Sequence, residues 1–415
     1  MVVCGGGFVV AYESLEKIYY QEPEKYEEAY LARFNSSTAK HLEITTHQYN
    51  HKNEYPLFYC YDEFIINAII SMLHAKYELD KLLSDIPGVI VDQFIKSSIV
   101  EEVKSTNDIE GVRSTRKEIK LALDKQSTGS ENLRMWRVVN KYLSLLNNNL
   151  KNFKTCEDIR NFYDEFILRE VIADNPDNAP DGIIFRKESV SVCTGTDRII
   201  HQGIYPEKLI TDAMDKALSI LNDENIPLLV RVTIFHYLFG YIHPFYDGNG
   251  RLIRFITSQY LTKELGSIIS IRISITIKKQ LRKYYKLFEQ TNCELNRGDL
   301  NPFIEGFLSF IADTIKETKQ LLHKKIEQLE RYESKLEALL NKSGIDDELL
   351  KGIYYILLQA SLFSGEGATV EQIMETTEKS RNTIETRLAK MPKEHLIKVT
   401  AVRPYRYKLN VLTLR

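Results

Sequence analysis

The sequence predicts a mainly α fold with two small β-hairpins, and three observations lead to that class. Apolar residues recur at helical spacing through most of the 415 residues. One stretch, residues 182–201, alternates instead with the period of a strand. After Phe310 the composition changes, because a charged helix leads into three short helical patterns and a last pair of strands. The predicted regions are an N-terminal helical region at 1–87, a helical core at 88–312, a connecting helix at 313–344 and a C-terminal domain at 345–415.

Length, charge and cysteine usage limit the class of protein. A chain of 415 residues can form two or three domains with a sizeable core. The formal net charge of −2 gives no global attraction to nucleic acid or to an anionic membrane. Five cysteines without a Cys-x-x-Cys pair favour free thiols over disulfides or a zinc site. Because no signal peptide and no membrane-spanning run is evident, we expect a cytoplasmic protein without membrane contact, and a homodimer stays open.

The most informative segment is 243–254, His-Pro-Phe-Tyr-Asp-Gly-Asn-Gly-Arg-Leu-Ile-Arg. The preceding helical pattern ends at Pro244, so His243 should emerge at a helix C-terminus. Residues 247–250 should form a tight turn, since glycine tolerates positive φ angles, and the helical period restarts at Arg251. The turn therefore leads into a helix N-terminus, whose unpaired N–H groups and positive dipole make an anion site suited to phosphates.

Side chains of this segment suit the chemistry of a nucleotide triphosphate. His243 can act as a general base because its unperturbed pKa lies close to neutrality. Asp247 offers an oxygen ligand for Mg²⁺, which commonly uses one or two carboxylates plus substrate phosphates. Arg251 and Arg254 lie three residues apart and can bind phosphate oxygens with their guanidinium groups. The backbone groups expected to hold further phosphate oxygens are those of Gly248, Asn249 and Gly250.

Other interpretations fit the segment less well. An Asp-Gly-Asn-Gly turn on its own is more often structural than catalytic. A Ca²⁺-binding EF-hand loop is excluded because Ser258 stands where its bidentate glutamate should be. His236 lies seven residues before His243 on a similar helical face, which would suit a metal pair. Without a third ligand at matching spacing, we interpret His236 as a packed or hydrogen-bonded structural histidine.

Residues 243–254 resemble the signature His-x-Phe-x-Asp/Glu-Gly-Asn-Gly-Arg-x-x-Arg of the Fic family, and every fixed position matches. The resemblance extends over about residues 88–312. The best-known Fic proteins transfer AMP from ATP to hydroxyl side chains of proteins. The resemblance therefore implies a nucleotidyltransferase with a Fic helical core, which uses Mg²⁺ and ATP and modifies Ser, Thr or Tyr of a target protein or of itself.

Residues 106–111, Thr-Asn-Asp-Ile-Glu-Gly, resemble the Ser/Thr-x-x-x-Glu-Gly/Asn inhibitory motif of Fic proteins that inhibit themselves. The resemblance assigns Thr106 to this motif and implies that Glu110 pairs with Arg254 where the γ-phosphate should bind. A carboxylate and a phosphate compete for one guanidinium, so the mechanism is physically sound. The alternative for Glu110 is an exposed surface charge at a helix end.

Residues 182–192 and 198–201 predict a β-hairpin with its turn near 194–197. In Fic proteins the corresponding hairpin, called the flap, binds the target segment as an added strand. We therefore expect an unknown target protein to dock near Val190 to Ile200, mainly through main-chain hydrogen bonds. A plain structural hairpin is the alternative.

The segment after the motif resembles the family's adenosine pocket. By position, Tyr285 and Asn292 would line that pocket, where an aromatic face stacks on adenine and an amide pairs with its edge. The alternative for Tyr285 is a role in packing, because tyrosines are common core residues on amphipathic helices.

The C-terminal region resembles a winged helix-turn-helix. Helical patterns at 352–360, 370–375 and 379–391 are followed by two strands, and residues 369–415 contain ten Lys/Arg against five Asp/Glu. This local excess of positive charge suits phosphate contacts with DNA. The expected contacts are Arg381 and Arg387 on the recognition helix and Arg403 and Arg406 on the wing. A winged-helix module for protein interaction is the alternative.

The leading function is thus a protein adenylyltransferase inhibited by its own Glu110. Two alternatives stay open at this point. One is a DNA-binding regulator whose Fic core senses nucleotide. The other is a Fic deAMPylase, in which Glu110 would activate a water molecule for removal of AMP.

Overall fold

The computed structural model describes residues 13–84, 86, 88–125, 133–147, 150–193, 199–363, 367–399 and 404–414. The chain divides into two compact units. One consists of the residues up to Tyr77 together with Ser98–Ile315, and the other of Glu78–Ser97 together with the residues from Lys316 onward. The second unit therefore contains more than the predicted C-terminal domain at 345–415. It also includes residues 78–97 and the part of the predicted connecting helix beyond Ile315.

The chain is mainly α, as the sequence predicts. The helices with residues in the first unit are α1 Leu15–Gln21, α2 Tyr26–Phe34, α3 Glu63–Ser84, α4 Gly88–Ile109, α5 Arg116–Asp124, α6 Trp136–Ser144, α7 Cys156–Tyr163, α8 Arg169–Asp174, α9 Glu207–Asn222, α10 Leu228–Ile242, α11 Asn249–Leu265, α12 Ser267–Ser270, α13 Ile273–Lys279, α14 Leu281–Asn292 and α15 Asn301–Lys342. Helices α3, α4 and α15 also have residues in the second unit. Two hairpins accompany them, with strands β1 Ala39–Thr46, β2 Tyr55–Cys60, β3 Ser191–Cys193 and β4 Ile199–Gln202.

Helices α10 and α11 form the buried centre of the first unit. Almost every residue of both helices is buried, and α10 is apolar on nearly all faces, as expected of a helix surrounded by protein. Helix α10 ends at Ile242, and the next residue, His243, has a left-handed backbone at φ 52° and donates its N–H to Phe239 O at 2.9 Å. The turn then reaches Gly248 at φ 82°, where glycine is favoured, and α11 begins at the next residue. The predicted helix, turn and helix are confirmed, although α11 begins at Asn249, two residues before the predicted Arg251.

The N-terminal region is not purely helical, which corrects the sequence analysis. Strands β1 and β2 pair antiparallel from Ala39↔Cys60 to Thr46↔Tyr55. Both segments are rich in β-branched and aromatic residues, which fit a pleated, half-buried surface. Phe58 of β2 also exchanges main-chain hydrogen bonds with residues 298–300, so the hairpin is fastened to the segment that precedes α15.

The second unit contains three further helices and a small sheet. They are α16 Glu348–Phe363, α17 Val370–Thr377 and α18 Arg381–Lys390, with strands β5 Ala368–Thr369, β6 Leu396–Lys398 and β7 Arg406–Leu409. The sheet is antiparallel with β7 in the centre, in the order β5-β7-β6. The three helices and the last two strands are predicted from the sequence, whereas β5 is not. The winged-helix interpretation of this region stays a prediction.

Within the described ranges, no helix is both long and apolar enough to cross a bilayer. Of the cysteines in those ranges, Cys60 and Cys156 are buried, Cys193 is exposed and Cys293 is intermediate, and all four are free thiols.

Candidate active site

A cavity of about 470 Å³ opens in the first unit beside the start of α11. Its walls come from the end of α4, the β3–β4 hairpin, the end of α10, the first turn of α11 and α14. A cavity of this size is typical of small-molecule sites. The sequence-predicted residues that line it are Glu110, His243, Asn249, Gly250, Arg254, Tyr285 and Asn292. The other predicted site residues, which do not line it, are Thr106, Asp247, Gly248 and Arg251.

His243 reaches this cavity from the C-terminus of α10. Its Nδ1 lies 3.4 Å from Gly240 O, a group that can only accept, so Nδ1 carries the proton in the neutral ring. Burial, the neighbouring His201 and the charge of Arg186 together lower the pKa of His243 to about 4. The imidazole is therefore neutral near pH 7, as a general base must be.

Arg254 lies in the second turn of α11 and is only 1% exposed. Its Nη2 is 2.8 Å from the Glu110 carboxylate. Two further groups of α4 accept from it, since Nε donates to Thr106 Oγ1 at 2.9 Å and Nη2 donates to Thr106 O at 3.1 Å. Although Thr106 does not line the cavity, it holds the arginine that does.

The Glu110 carboxylate also lies directly against the backbone of the motif. A Cβ atom placed on Gly250 would be 2.2 Å from Glu110 Oε1, closer than any real contact. A side chain at position 250 would therefore displace the Glu110 carboxylate from the N-terminal end of α11. The carboxylate is thus located where the helix N–H groups and Arg254 favour an anion.

Arg251 occupies a different environment from Arg254. Its side chain is 4% exposed, and Nη1 lies 3.4 Å from Glu170 Oε2 while Nη2 lies 3.9 Å from Asp247 Oδ1. Burial raises the pKa of Glu170 to about 7. The structure therefore places Arg251 beside α8 and not in the cavity, and its predicted phosphate contact stays a prediction.

Asp247 is the residue predicted to hold a metal. Its side chain is 34% exposed, and Oδ1 accepts the N–H of Gly248 at 2.5 Å. In the described part of the chain, no group of three or more His, Cys, Asp and Glu side chains is arranged to hold a metal ion. A single, partly exposed carboxylate still fits Mg²⁺ that is bound mainly through phosphate oxygens and water.

The two residues predicted to bind adenosine line the cavity from α14. Tyr285 is 40% exposed, and its hydroxyl donates to Ile109 O at 3.3 Å. Asn292 is 9% exposed, and its Oδ1 accepts from the buried Tyr237 hydroxyl at 2.8 Å. The Tyr285 ring is thus available for stacking, whereas the Asn292 amide is already held in place by one hydrogen bond.

His236 is a structural histidine, and that prediction is confirmed. It is fully buried, with Nδ1 2.8 Å from Thr257 Oγ1 and Nε2 2.8 Å from Tyr284 OH. Both ring nitrogens therefore have protein partners.

The predicted hairpin forms beside the cavity, and its role as a target-binding flap stays a prediction. Strands β3 and β4 pair antiparallel, with Ser191↔Gln202 and Val192↔His201. The turn that was expected near residues 194–197, and Arg198, lie outside the described residues. His201 is 7% exposed, and its Nε2 lies 2.6 Å from Tyr241 O, which joins the hairpin to the last turn of α10.

Two residues at the site escaped the sequence analysis. Arg186 is fully buried and donates two hydrogen bonds to the carbonyl oxygen of His243. Glu170 pairs with Arg251, as described above. Neither has a local sequence signal, because an arginine before a hairpin and a glutamate on a short helix are ordinary surface residues.

The arginines predicted to face DNA are in the second unit. Arg381 pairs with Glu371 and, at 3.2 Å, with Glu385, while Arg387 pairs with Asp347 at 3.1 Å. Arg406 is partly buried in β7, and Arg403 lies outside the described residues. Both arginines of the predicted recognition helix therefore already have carboxylate partners.

Comparison with known proteins agrees with the motif. The Fic/DOC family model matches residues 156–261. Two proteins named protein adenylyltransferase Fic are similar, one from Drosophila erecta at 36% identity over 104 residues and one from Drosophila yakuba at 37% over 86 residues. These matches cover 24% and 21% of this chain but only 18% and 15% of the Drosophila proteins.

Among solved structures, a Fic family protein from Desulfovibrio desulfuricans G20 is similar at 18% identity with a TM-score of 0.48. The match covers 84% of this chain and 96% of that protein. The family match and the motif at residues 243–254 agree, so this chain contains a Fic domain, which the family model places at residues 156–261.

Proposed function

We propose that this chain is a protein adenylyltransferase that transfers AMP from Mg·ATP to a hydroxyl group of a protein, including its own. The Drosophila relatives carry the name of this activity, although the chain spans less than a fifth of their length. One observation supports the proposal most. A neutral histidine and a buried arginine line the same cavity at the N-terminus of α11, so a base stands beside an anion site.

In the proposed reaction, the oxygen of the target hydroxyl attacks the α-phosphorus of ATP, and His243 accepts the hydroxyl proton. A bond forms between that oxygen and phosphorus, the bond to the bridging oxygen of the β-phosphate breaks, and pyrophosphate leaves. The neutral state of His243 is essential here, because a protonated imidazole could not accept the proton. The proton from the hydroxyl would be taken up at Nε2, since Nδ1 faces Gly240 O.

The phosphates would be bound mainly by the first turn of α11. The backbone of Gly248, Asn249 and Gly250 and the guanidinium of Arg254 are the proposed donors. Asp247 would hold the Mg²⁺ that neutralises phosphate charge, because its carboxylate is partly exposed at the turn before α11. Tyr285 and Asn292 would hold the adenosine from α14.

Glu110 would inhibit this reaction. Its carboxylate is 2.8 Å from the guanidinium that would bind the γ-phosphate, and it contacts Gly250 at the same helix end. A triphosphate that entered the cavity would have to compete with this carboxylate for Arg254. The two contacts from Thr106 add to the hold of α4 on Arg254.

The alternatives have less support. A nucleotide-sensing DNA-binding regulator rests on the basic composition of residues 369–415, and its Arg381 and Arg387 would have to exchange their carboxylate partners for phosphates. The deAMPylase alternative uses the same cavity, with Glu110 activating a water molecule that removes AMP. The same variants therefore test both directions of the reaction.

The decisive experiment uses ATP labelled either at the α-phosphate or at the γ-phosphate. Transfer of AMP leaves the α-label on protein and no γ-label, and intact-mass analysis should show the gain of one AMP per modified site. The Glu110→Gly chain should be labelled most strongly, and His243→Ala in that background is the control. Label from the γ-phosphate on the protein would contradict AMP transfer. Release of AMP from a previously modified chain, abolished by Glu110→Gly, would favour the deAMPylase.

A further inference from the structure

Arg186 is a buried arginine with main-chain partners. Its residue exposure is 0%. Nε and Nη2 donate to His243 O at 3.0 and 2.8 Å, Nη2 also donates to Ile204 O at 2.8 Å, and Nη1 donates to Glu188 O. No carboxylate in the described part of the chain pairs with this guanidinium. Buried arginines usually pair with an acidic side chain. The charge of Arg186 is instead compensated by the dipoles of main-chain carbonyl groups.

The three carbonyl groups belong to three segments that meet at the site. Glu188 precedes β3, Ile204 follows β4, and His243 is the proposed base. The segments before β3 and after β4 are also joined to each other, because Gly203 N–H donates a hydrogen bond to Val190 O at 2.9 Å. Arg186 therefore connects both ends of the flap hairpin with the main chain of the base.

Gly203 provides the space for this arrangement. A Cβ atom at position 203 would lie 2.5 Å from Arg186 Nη2 and 3.0 Å from His243 Cβ. Either distance is too short for an unchanged structure. The glycine is therefore required by close packing between the guanidinium and the base, and not by its backbone conformation.

The guanidinium also acts on His243 through its charge. Burial is the largest cause of the lowered pKa of His243, and the positive charge of Arg186 lowers that pKa further. A positive charge near a histidine disfavours the imidazolium, so it helps to keep the ring neutral. The Glu110 carboxylate acts on His243 in the opposite direction and raises its pKa, so it offsets part of the effect of Arg186 in the wild type but not in a chain with Glu110→Gly.

We propose that Arg186 is a positioning residue that couples the flap to the base: it fixes the left-handed backbone of His243 and sets the distance between the strand-binding edge of the flap and the imidazole. The inference rests on the proposed function, because the flap is where the target hydroxyl would be presented. An arginine suits this task better than a lysine. Its rigid fork of donors can bind several carbonyl groups at once, whereas an ammonium is a single point.

The test compares Arg186→Gln and Arg186→Lys in the full chain that also carries Glu110→Gly. Both variants should lower the rate constant of self-modification about tenfold to a hundredfold, as expected for a displacement of the reacting groups by about 1 Å. The KM for ATP should change by less than about twofold, because neither variant touches the phosphate site. Only Arg186→Gln removes the charge, so only this variant should raise the pKa of His243.

Two controls separate positioning from folding. Arg160→Lys alters a neighbouring arginine that donates to Ile184 O at 2.8 Å but does not contact His243, and it should leave the rate constant unchanged. Gly203→Ala keeps the buried charge and pushes directly on Arg186 Nη2. It should reproduce the loss of rate even if Arg186→Gln does not fold, with thermal unfolding and ATP affinity as checks of the fold.

An NMR titration of His243 in the chain without nucleotide provides the readout that needs no activity. The His243 resonance is identified by its loss in His243→Ala. A raised pKa in Arg186→Gln supports the coupling even if the chain transfers no AMP at all, in which case only the proposed function fails. Unchanged rate constants in folded Arg186→Lys and Gly203→Ala chains, together with an unchanged pKa of His243 in Arg186→Gln, would overturn the inference. A loss of rate in Arg160→Lys as large as in Arg186→Lys would overturn it as well.

Discussion

The carboxylate of Glu110 lies 2.8 Å from Nη2 of Arg254, and this contact joins the end of α4 to the second turn of α11. Arg254 is 1% exposed, so its charge needs a partner when no phosphate is present. Thr106 contributes two hydrogen bonds from the preceding turn of α4. In this structure Arg254 is therefore bound by Thr106 in the last turns of α4 and by Glu110 directly after that helix.

Replacing Glu110 by Gly or Gln should increase self-modification. A charge-assisted hydrogen bond is worth about 1.5–3 kcal/mol, so the freed Arg254 should improve use of ATP by about tenfold to a hundredfold. Calorimetry offers a second measurement, because affinity should rise more for ATP than for ADP, which has no γ-phosphate. Glu101→Gln is a matched control, since Glu101 lies on α4, the helix that Glu110 directly follows, but pairs with Arg116.

Arg254→Ala should not activate the chain, although it also removes the pair. The variant loses the proposed γ-phosphate contact together with the inhibitory one, so ATP affinity should fall. An active Arg254→Ala chain, or a Glu110→Gln chain no more active than the wild type, would count against the inhibitory role of Glu110.

The pH profile of transfer should lack the usual histidine limb near pH 6.5. Burial, His201 and Arg186 lower the pKa of His243 to about 4, so the neutral fraction of this imidazole stays nearly complete down to about pH 5. Transfer measured in the Glu110→Gly chain should thus remain nearly constant from pH 8 to about pH 5.5. His243→Ala should lower it by about 10²–10⁴-fold at every pH without loss of ATP affinity. A rate that halves near pH 6.5 in a folded chain would contradict the neutral base.

Local sequence patterns predicted the motif well and the contacts around it poorly. Pro244 and Gly248 mark the helix end and the turn, because their backbone preferences act locally. The partners of Arg186 are not predictable in this way, since His243 is 57 residues away and accepts through a carbonyl oxygen that every residue has. The pair of Arg251 and Glu170 was not predictable either, because these two residues are far apart in the sequence and become buried partners only when the chain folds.

Asp247→Ala should weaken the dependence of nucleotide binding on Mg²⁺. The Asp247 carboxylate is 34% exposed at the turn before α11, and it is the proposed metal ligand of the chain. Calorimetry with ATP in Mg²⁺ and in excess chelator should show a large affinity difference for the wild type and a small one for the variant. Asp181→Ala is the control, because this exposed carboxylate pairs with Tyr246 in a neighbouring segment. Equal Mg²⁺ effects in wild type and Asp247→Ala would remove Asp247 as a ligand.

Glu305→Gln should stabilise the chain at alkaline pH. Burial and the adjacent Asp62 carboxylate raise the pKa of Glu305 to about 9, from an ordinary value of 4.5. At Glu305 the folded chain therefore binds more protons than the unfolded chain between these values, and the contribution of Glu305 to stability must fall as pH rises through that window. The slope for one proton is about 1.4 kcal/mol per pH unit. Burial raises the pKa of Glu102 and of Glu170 only to about 7, so the range from pH 7 to 9 isolates Glu305 from these two.

Glutamine keeps the size of the side chain and can donate to Asp62 without a proton to lose. Denaturant unfolding should give wild type and Glu305→Gln similar free energies of unfolding at pH 5.5, and a clear advantage for the variant at pH 8.5. Glu224→Gln, at an exposed loop position, should follow the wild type at both values. If the difference between wild type and Glu305→Gln is the same at both pH values, Glu305 is not protonated in the folded chain. The proton would then be absent from the acidic contact between α15 and the start of α3.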